Sequence, residues 1–533
     1  MYLEVVADYD FLLIGSGPTA TAALGPLAES NRSVIVIDIS LRPSSQLQDF
    51  LSDLGGTQWS NWSTAARNSL VSSASSGMAP KKFFGESFPY DSRHLGIDYR
   101  DSFGAPRASV ARGGFSTVWG ATVLPFPLGA WPNHAEDQYR EILSAVGELT
   151  SELKFAGESG PIDLGYPGSM FTHPIPSTSP LTALARGEAF FEKLGPRSFA
   201  SLGLPRLAVA PRAATEHPHM GCTSCGLCQV GCVYGHIWNS ARTFEALVKT
   251  GQVTQLIGQV VCLEDTHSNS VKVYVRQGDS GIEKIVRAKH VLIAAGPIST
   301  ASLLIRSGLI DSGLELKDSQ TFFVGGFSRT DLSPSAHSTT LTEVVSVAPS
   351  QSTDSISHFQ VYGPSDYLQS RIFGSNQLAD TTPKRLREAV SGHLAVCLGY
   401  LDSSESSIVR VFAGNSNNIY VRADPKIGRA EVKMAVSAHK SNLRRLGIHL
   451  IPSSLQILPV GGGNHLGASI PMTSKLDDQQ RLAAWSDDLG RPFGHGSVHI
   501  LDTSVLPSVP AGPITLMAMG NARRIARRLV NTR

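Results

Sequence analysis

The feature that most constrains the fold is a glycine-rich turn that directly follows an apolar run near the N-terminus. The stretch "DFLLIGSGPTATAAL" places Gly15, Gly17 and Ala20 in a G-x-G-x-x-A pattern between a strand-like and a helix-like segment. The first glycine permits a tight turn, the second lets the backbone approach a pyrophosphate at a helix N-terminus, and the small third residue allows close helix–strand packing. Asp38 ends the next apolar strand, about 20 residues on, where a carboxylate can bind ribose hydroxyls. The sequence therefore predicts a dinucleotide-binding unit.

Similar strand–turn–helix patterns return far along the chain, which predicts a domain built from separated segments. They are "HVLIAAGPISTASLLIRSGL" at 290–309 and "SVHILDTSVLPSV" at 497–509, followed by the helical "PITLMAMGNARRIARRLV". Between them, 321–424 is rich in alternating strand patterns, which indicates an antiparallel sheet. We expect an α/β fold: a discontinuous Rossmann-like domain with an inserted α+β domain. The predicted segments are 1–125, 236–320 and 451–533 for the nucleotide domain, 126–235 for a loop-rich cap with cysteines, and 321–450 for the substrate domain.

Charge and hydropathy exclude two classes of partner. The formal net charge is only +2, so a basic surface that binds nucleic acid is not expected. No run of about 18 apolar residues is present, so no membrane span is predicted. The N-terminal stretch has no basic region or small-residue cleavage site, which favours the cytoplasm, where thiols stay reduced.

Three further blocks resemble the glucose–methanol–choline (GMC) family of flavoprotein oxidoreductases. "GGFSTVWGAT" resembles the second flavin-binding turn of that family, "VLIAAGPISTASLLIRSGL" its turn near the adenosine, and "HILDTSVLPSVPAGPIT" its C-terminal flavin-contacting segment. The resemblance implies FAD as the cofactor. The cofactor-binding residues that it implies are Gly113, Gly114, Ser116, Trp119, Ala295, Gly296, Asp502 and Thr515, beside Gly15, Gly17, Ala20 and Asp38.

The mode of FAD attachment follows from one position of the second turn. In the pyranose-oxidising branch of the family, a histidine in this turn bonds covalently to the flavin. Val118 stands at that position here and has no group that can form the bond. We therefore expect non-covalent FAD.

The resemblance also implies a catalytic base. "GGGNHLGASIPM" is similar to the first catalytic segment of the family, which makes His465 the residue that takes the hydroxyl proton. The other reading is a packed or capping histidine. The family's second catalytic His or Asn should lie in "VPAGPIT", where this chain has Gly512 and Pro513. Since neither can move a proton, Asn464 and His495 are the candidates for the missing partner.

Four of the six cysteines stand in "GCTSCGLCQVGCVYG" with the spacing C-x2-C-x2-C-x3-C. This spacing, at Cys222, Cys225, Cys228 and Cys232, is typical of a bacterial-type iron–sulfur loop. Zinc and structural thiols are the alternatives. The segment also resembles the iron–sulfur segment in the flavin subunits of bacterial glucose dehydrogenases, most securely at the last two cysteines.

Together these patterns predict an FAD-dependent dehydrogenase that oxidises a hydroxyl of a sugar, glycoside or polyol by hydride transfer. We expect the electrons to leave through the iron–sulfur cluster to an acceptor protein or a quinone. One alternative is an oxidase that uses O2 and has structural cysteines. Another is a zinc-stapled flavoprotein that serves as a non-catalytic assembly partner.

Overall fold

The structure is a computed structural model of the 533-residue chain. It describes residues 4–72, 80–99, 106–126, 131, 136–153, 156–157, 202–203, 205–210, 222–223, 225–265, 270–278, 282–311, 313–329, 331–332, 340–350, 355–364, 390–414, 418–473 and 484–531. Much of the predicted cap segment, including 158–201 and 211–221, lies outside the described residues.

The described chain alternates helices with strands of several sheets. The α-helices are α1 (Pro18–Ala28), α2 (Ser45–Gly55), α3 (Thr64–Ser72), α4 (Glu136–Glu152), α5 (Ser240–Lys249), α6 (Pro297–Arg306), α7 (Arg429–Arg445) and α8 (Thr515–Asn531). The strands are β1 (Glu4–Ile14), β2 (Val34–Asp38), β3 (Ile97–Asp98), β4 (Ala156–Gly157), β5 (Leu202–Gly203), β6 (Arg206–Leu207), β7 (Thr254–Ile257), β8 (Gln259–Asp265), β9 (Val271–Gln277), β10 (Ile282–Ile293), β11 (Leu314–Asp318), β12 (Thr321–Ser328), β13 (Val344–Pro349), β14 (Ile356–Tyr362), β15 (Leu394–Leu401), β16 (Ile408–Ala413), β17 (Ile419–Asp424), β18 (Ile448–Ile457), β19 (Leu466–Gly467) and β20 (Val498–Ile500).

A seven-stranded sheet forms the nucleotide-binding half, in the order β7-β2-β1-β10-β9-β8 with β20 also on β10. The pairs β1–β2, β1–β10, β2–β7 and β10–β20 are parallel, whereas β9 pairs antiparallel with β8 and β10. Its strands come from three separated stretches of the chain, 4–38, 254–293 and 498–500. Strand β2 is buried throughout, as expected for a parallel strand covered on both faces.

A six-stranded antiparallel sheet, β18-β12-β15-β14-β13-β5, forms the second half. Helix α7 covers one face, where Val432 and Val436 join a core with Phe322, Phe359 and Cys397. The residues that alternate with these point to the other face, toward the nucleotide-binding half.

The predicted fold class is confirmed: a mixed α/β chain with a Rossmann-like part and an antiparallel-sheet part. A five-stranded sheet, β19-β11-β16-β17-β3, takes its strands from 97–98, 314–318, 408–424 and 466–467, and His465 directly precedes its strand β19. Among the helices that the structure describes, none combines the length and apolarity that a membrane crossing needs.

Candidate cofactor and active site

A cavity of about 640 Å³ runs between the two halves of the molecule. Gly15, Gly17 and Asp38 line one end of it, and Tyr400 and His465 line the other. The predicted nucleotide site and the predicted base therefore belong to one continuous cavity.

The first turn has the geometry of a phosphate cradle. Gly15 has φ +108°, and a Cβ there would stand 2.5 Å from the Ala294 carbonyl oxygen, so only glycine fits. Gly17 is the N-cap of α1, has no capping side chain, and has no atom within 4 Å of the place of a Cβ. The free amides and the positive end of the helix dipole thus face open space that an anion can occupy. Ala20, in the first turn of α1, is fully buried, as the pattern predicts.

The Asp38 carboxylate is held by a network that connects two predicted turns. Ser16 Oγ donates to Asp38 Oδ2 at 2.6 Å and accepts from the Gly113 N–H at 3.0 Å. Ser40 N–H donates to Oδ1 at 2.8 Å. Burial raises the pKa of Asp38, although the bonds from Ser16 and Ser40 oppose that shift. The carboxylate is placed at the end of β2, where a ribose would lie.

The second turn packs against the first at the middle of the cavity. Gly113 has φ +84°, and a Cβ there would lie 2.6 Å from the Ala241 nitrogen. Ser116 Oγ donates to the Gly113 carbonyl at 2.6 Å and accepts from Ser240 N–H at 2.9 Å. These bonds tie the turn to the start of α5.

The remaining members of the second turn face the cavity. Gly114, Ser116, Val118 and Trp119 line it. Trp119 is fixed by a bond from its Nε1 to the Trp238 carbonyl at 2.9 Å. Val118 therefore presents only an aliphatic side chain to whatever occupies the cavity.

The other two predicted segments meet at Asp502. Its Oδ2 accepts from Gly296 N–H at 3.0 Å and from Thr300 Oγ1 at 2.5 Å. Burial raises the pKa of Asp502. Ala295, Gly296, Asp502 and Thr515 all line the cavity, and Thr515 is the first residue of α8. The N-terminal ends of α1 and α8 thus both reach the cavity.

The loop that carries His465 is held in a strained conformation. Asn464 has φ +57°, a left-handed value that asparagine tolerates better than most residues. Asn464 N–H donates to the Gly461 carbonyl at 3.1 Å, and Ser319 N–H donates to the His465 carbonyl at 3.2 Å. Gly461 N–H donates to Asp318 Oδ2 at 2.8 Å. The loop therefore rests on the end of β11 and turns the His465 side chain into the cavity.

His465 has the protonation state that a base needs. Burial lowers its pKa to about 4, so the imidazole is neutral at neutral pH. Its ring stacks on Tyr400 with centroids 5.0 Å apart and planes 12° apart. Nδ1 is buried without a hydrogen-bond partner, which leaves Nε2 as the nitrogen available to a molecule in the cavity.

The structure separates the candidates for the second catalytic position. Asn464 lines the cavity beside His465. His495 lies elsewhere: its Nδ1 is 3.0 Å from Asp265 Oδ2, at the end of β8, and it does not line the cavity. The structure therefore keeps His495 apart from His465, and Asn464 is the candidate that it brings to the cavity.

Three side chains of β14 were missed by the sequence reasoning. Gln360 and Tyr362 line the cavity, and His358 is buried on the same face. Tyr362 Oη donates to Gln360 Oε1 at 2.8 Å. The signal was present, because "SHFQVYG" alternates polar and apolar residues. Alternation alone does not say that the polar face meets a cavity rather than solvent.

The four cysteines lie in one loop beside the cavity wall. Cys228 is buried and the other three are partly buried. Burial raises the pKa of Cys225, and the neighbouring Cys228, Cys232 and Cys222 raise it further. Lys81 Nζ donates to the carbonyls of both Cys228, at 2.8 Å, and Trp119, at 3.1 Å, which joins the loop to the second turn.

Within the described residues, no three His, Cys, Asp or Glu side chains are grouped to hold a single metal ion. An iron–sulfur cluster distributes its cysteines over several irons and is tuned by hydrogen bonds to the sulfurs. Two hydrogen bonds reach cysteine sulfurs of the loop: His236 N–H donates to Cys232 Sγ at 3.2 Å, and Thr340 hydrogen-bonds the Cys228 thiol.

The chain's own residues fit FAD. The cradle at Gly15 and Gly17, the carboxylate at Asp38 and the two helix N-termini suit a dinucleotide diphosphate and its ribose. The cavity continues from there to a neutral imidazole.

Comparisons with known proteins agree with this geometry. Residues 203–318 match the family described as GMC oxidoreductase. The fold is similar to that of pyridoxine 4-oxidase from Mesorbium loti, with TM-score 0.59 and 15% identity, covering 98% of this chain and 99% of that one. It is also similar to formate oxidase, with TM-score 0.58 and 12% identity, covering 99% of both chains. No curated protein sequence matches the chain.

Proposed function

We propose that this chain is an FAD-dependent oxidoreductase that acts on CH–OH groups, and that it is a dehydrogenase of sugars, glycosides or other polyols. The observation that carries the proposal is the neutral His465 at one end of a cavity whose other end is a dinucleotide cradle. Bound FAD supplies the hydride acceptor for the carbon that bears the hydroxyl.

In this proposal His465 is the general base. Its Nε2 accepts the hydroxyl proton while the C–H bond gives up a hydride. A base acts best when it is unprotonated at the working pH, and burial keeps His465 in that state. The stacking on Tyr400 and the tethered loop hold the ring in place, so little reorientation is needed.

The start of α8 stabilises negative charge in the cavity. Residues Thr515 and Ala518 line the cavity from the first turn of this helix. The unpaired amides of a helix N-terminus favour an anion there by about 0.3–1 kcal/mol, and more when buried. With FAD bound, this end of the helix would favour negative charge on the part of the cofactor that lies against it.

The polar wall near His465 supports a substrate with several hydroxyls. Thr321, Gln360, Tyr362 and Asn464 line that part of the cavity. Gln360 Oε1 accepts from Tyr362 Oη and, at 3.2 Å, from Thr342 Oγ1, so the amide NH2 is left to donate. A site with donors and acceptors on several elements discriminates against alcohols that lack the matching hydroxyls.

The cysteine loop supports electron export rather than direct use of O2. Gln229 lines the cavity, and Lys81 links the Cys228 backbone to Trp119 of the cavity wall. In the proposal Cys222, Cys225, Cys228 and Cys232 hold an iron–sulfur cluster, which accepts electrons one at a time. A protein or quinone would then be the final acceptor.

The second candidate function is an oxidase that passes electrons to O2. It is favoured by the names of the two similar structures, both of which are oxidases. In that case the cysteine loop serves only to brace the second turn.

Anaerobic titration of the FAD-loaded protein with a panel of sugars, polyols and simple alcohols tests the reaction. We expect polyols to bleach the flavin absorbance. His465→Ala should keep bound FAD but slow flavin reduction by roughly 10²–10⁴-fold. His495→Ala is the matched control, since this histidine is paired with Asp265 away from the cavity. Equal rates for the parent and His465→Ala would contradict the role of His465.

A second experiment separates dehydrogenase from oxidase. Protein prepared without oxygen should contain iron and acid-labile sulfide. Cys228→Ser should slow turnover with a one-electron acceptor more than it slows flavin reduction by substrate. Stoichiometric peroxide in air, with no iron in the protein, would favour the oxidase instead.

A further inference from the structure

The turn that should supply a second catalytic side chain has none at Gly512. This residue has φ +114°, a value that side-chain-bearing residues rarely adopt. The ring of His358 from β14 lies against it: Nδ1 is 3.1 Å and Cε1 3.6 Å from the point where a Cβ would stand. An imidazole from the antiparallel sheet thus occupies the space into which residue 512 would project.

We propose that His358 is the positioning partner of His465: its Nε2 accepts a hydrogen bond from Nδ1–H of His465. This bond holds His465 in the tautomer whose Nε2 is free to take the substrate proton. The inference rests on the proposed role of His465 as the base.

One ring nitrogen of each histidine is buried without a hydrogen-bond partner. A neutral imidazole has one N–H, and if Nε2 is to accept a proton then the hydrogen must be on Nδ1. His465 Nδ1 is buried without a partner, and so is His358 Nε2. A buried polar group without a partner costs about 1–3 kcal/mol. One donor and one acceptor that lie beside the same ring can relieve both costs.

The two histidines flank Tyr400 of β15. His465 stacks on its face at 5.0 Å, and His358 meets it edge-on at 6.0 Å. Burial and, to a lesser extent, the neighbouring His465 lower the pKa of His358 to about 3, so His358 is a neutral acceptor. The other titratable groups near it are Tyr400, Tyr362 on its own strand, and His439 of α7. Neither nitrogen has a hydrogen-bond partner in the structure, and in this proposal a rotation of the rings, or one bridging water, joins them.

The proposed oxidation step conserves protons and electrons. The substrate O–H bond breaks and its proton bonds to His465 Nε2, while the hydride with its two electrons goes from carbon to the oxidised flavin. His465 then carries N–H on both nitrogens. The bond from Nδ1–H to His358 stabilises this cation, and His358 itself keeps its own proton.

The test compares three variants of the FAD-loaded protein. His358→Phe keeps the ring but removes both nitrogens, and His358→Gln keeps a donor and an acceptor. His439→Phe is the control: His439 is equally buried on the other face of the sheet, but its nitrogens bond to Ser346 at 2.8 Å and Ser357 at 3.1 Å. Flavin reduction is followed anaerobically from about pH 2.5 to 8, on both sides of the His465 pKa of about 4, and the flavin midpoint potential is measured over the same range by dye-coupled photoreduction.

We expect His358→Phe to slow flavin reduction about 10-fold to 100-fold, as is typical when the group that orients a histidine is removed. Loss of the acceptor also destabilises protonated His465, so the low-pH limb of the rate profile moves to lower pH. His358→Gln should recover part of both effects. His439→Phe should change stability but leave the pH profile unchanged.

Measurement of the flavin midpoint potential needs no substrate. It therefore tests the pairing of His358 with His465 separately from the proposed function. If no alcohol reduces the parent flavin, the proposed function fails, whereas the position of the break in the potential–pH plot still tests His358. A break that is absent in His465→Ala and moves to lower pH in His358→Phe supports the pairing. Identical breaks and identical rate profiles in the parent and His358→Phe would overturn it.

Discussion

Asp318 gives the site a measurable pH dependence of stability. It ends β11, its Oδ2 accepts the Gly461 N–H at 2.8 Å, and its Oδ1 is buried without a partner. Burial raises the pKa of Asp318 from 3.8 to about 7, because the amides that bond it offset only part of the desolvation. The carboxyl group beneath the His465 loop is therefore protonated in weakly acidic solution.

The raised pKa of Asp318 sets the sign and the size of the change in stability with pH. A carboxyl whose pKa is higher in the folded state binds more protons when folded, so stability falls as pH rises from about 4 to about 7. Below pH 4 the protonated Asp318 makes its full contribution to the free energy of unfolding. Above pH 7 that contribution is lost, because the folded state then carries a buried charge. Three pKa units correspond to about 4 kcal/mol.

Asp318→Asn removes this dependence while keeping an oxygen for the Gly461 N–H. The amide NH2 has no evident acceptor, which costs about 1–3 kcal/mol at every pH. Relative to the parent, the variant should gain about 4 kcal/mol between pH 4 and pH 8. For a 533-residue chain that unfolds as one unit, this is a relative shift of the melting temperature of about 4 °C.

The assay is the melting temperature of parent and variant at a fixed excess of FAD, at several pH values from 4 to 8. Asp91→Asn is the control. Its bond to Arg93 lowers the pKa of Asp91 to about 2, so the difference between this variant and the parent should be flat above pH 5. Parallel curves for the parent and Asp318→Asn would refute the reasoning, since they would show that Asp318 titrates alike in the folded and unfolded states.

Three other predictions concern FAD and the base. The rate constant for flavin reduction should rise as pH increases through about 4 and then level off, because only neutral His465 accepts a proton; anaerobic stopped-flow absorbance checks this. Acid precipitation should release all flavin into the supernatant, because Val118 cannot form a covalent link, and flavin in the pellet would contradict non-covalent binding. Gly17→Ala should weaken FAD binding more than 10-fold, about 1.4 kcal/mol, while the apoprotein keeps its melting temperature. Gly15→Ala should destabilise the apoprotein as well, because its Cβ would press on the Ala294 carbonyl.

The cofactor cradle was predictable from the sequence because it depends on local backbone geometry. Gly15 and Gly17 are required by a turn and a close approach that involve only neighbouring elements, and Asp38 is placed by the length of one helix and one strand. The same holds for the cysteine loop, whose spacing within a few residues keeps its thiols near one another.

The half of the cavity near His465 was decided by tertiary structure. Gln360 and Tyr362 reach the cavity, and His358 the region beside it, only because the antiparallel sheet turns one face of β14 that way. The raised pKa of Asp318 arises from packing between β11 and the loop near His465, and sequence does not report burial. His495 is close to His465 in sequence, yet it pairs with Asp265 on a distant strand. Residues far apart in the chain meet according to how whole sheets pack, so their chemistry is fixed by the assembled core rather than by any local pattern.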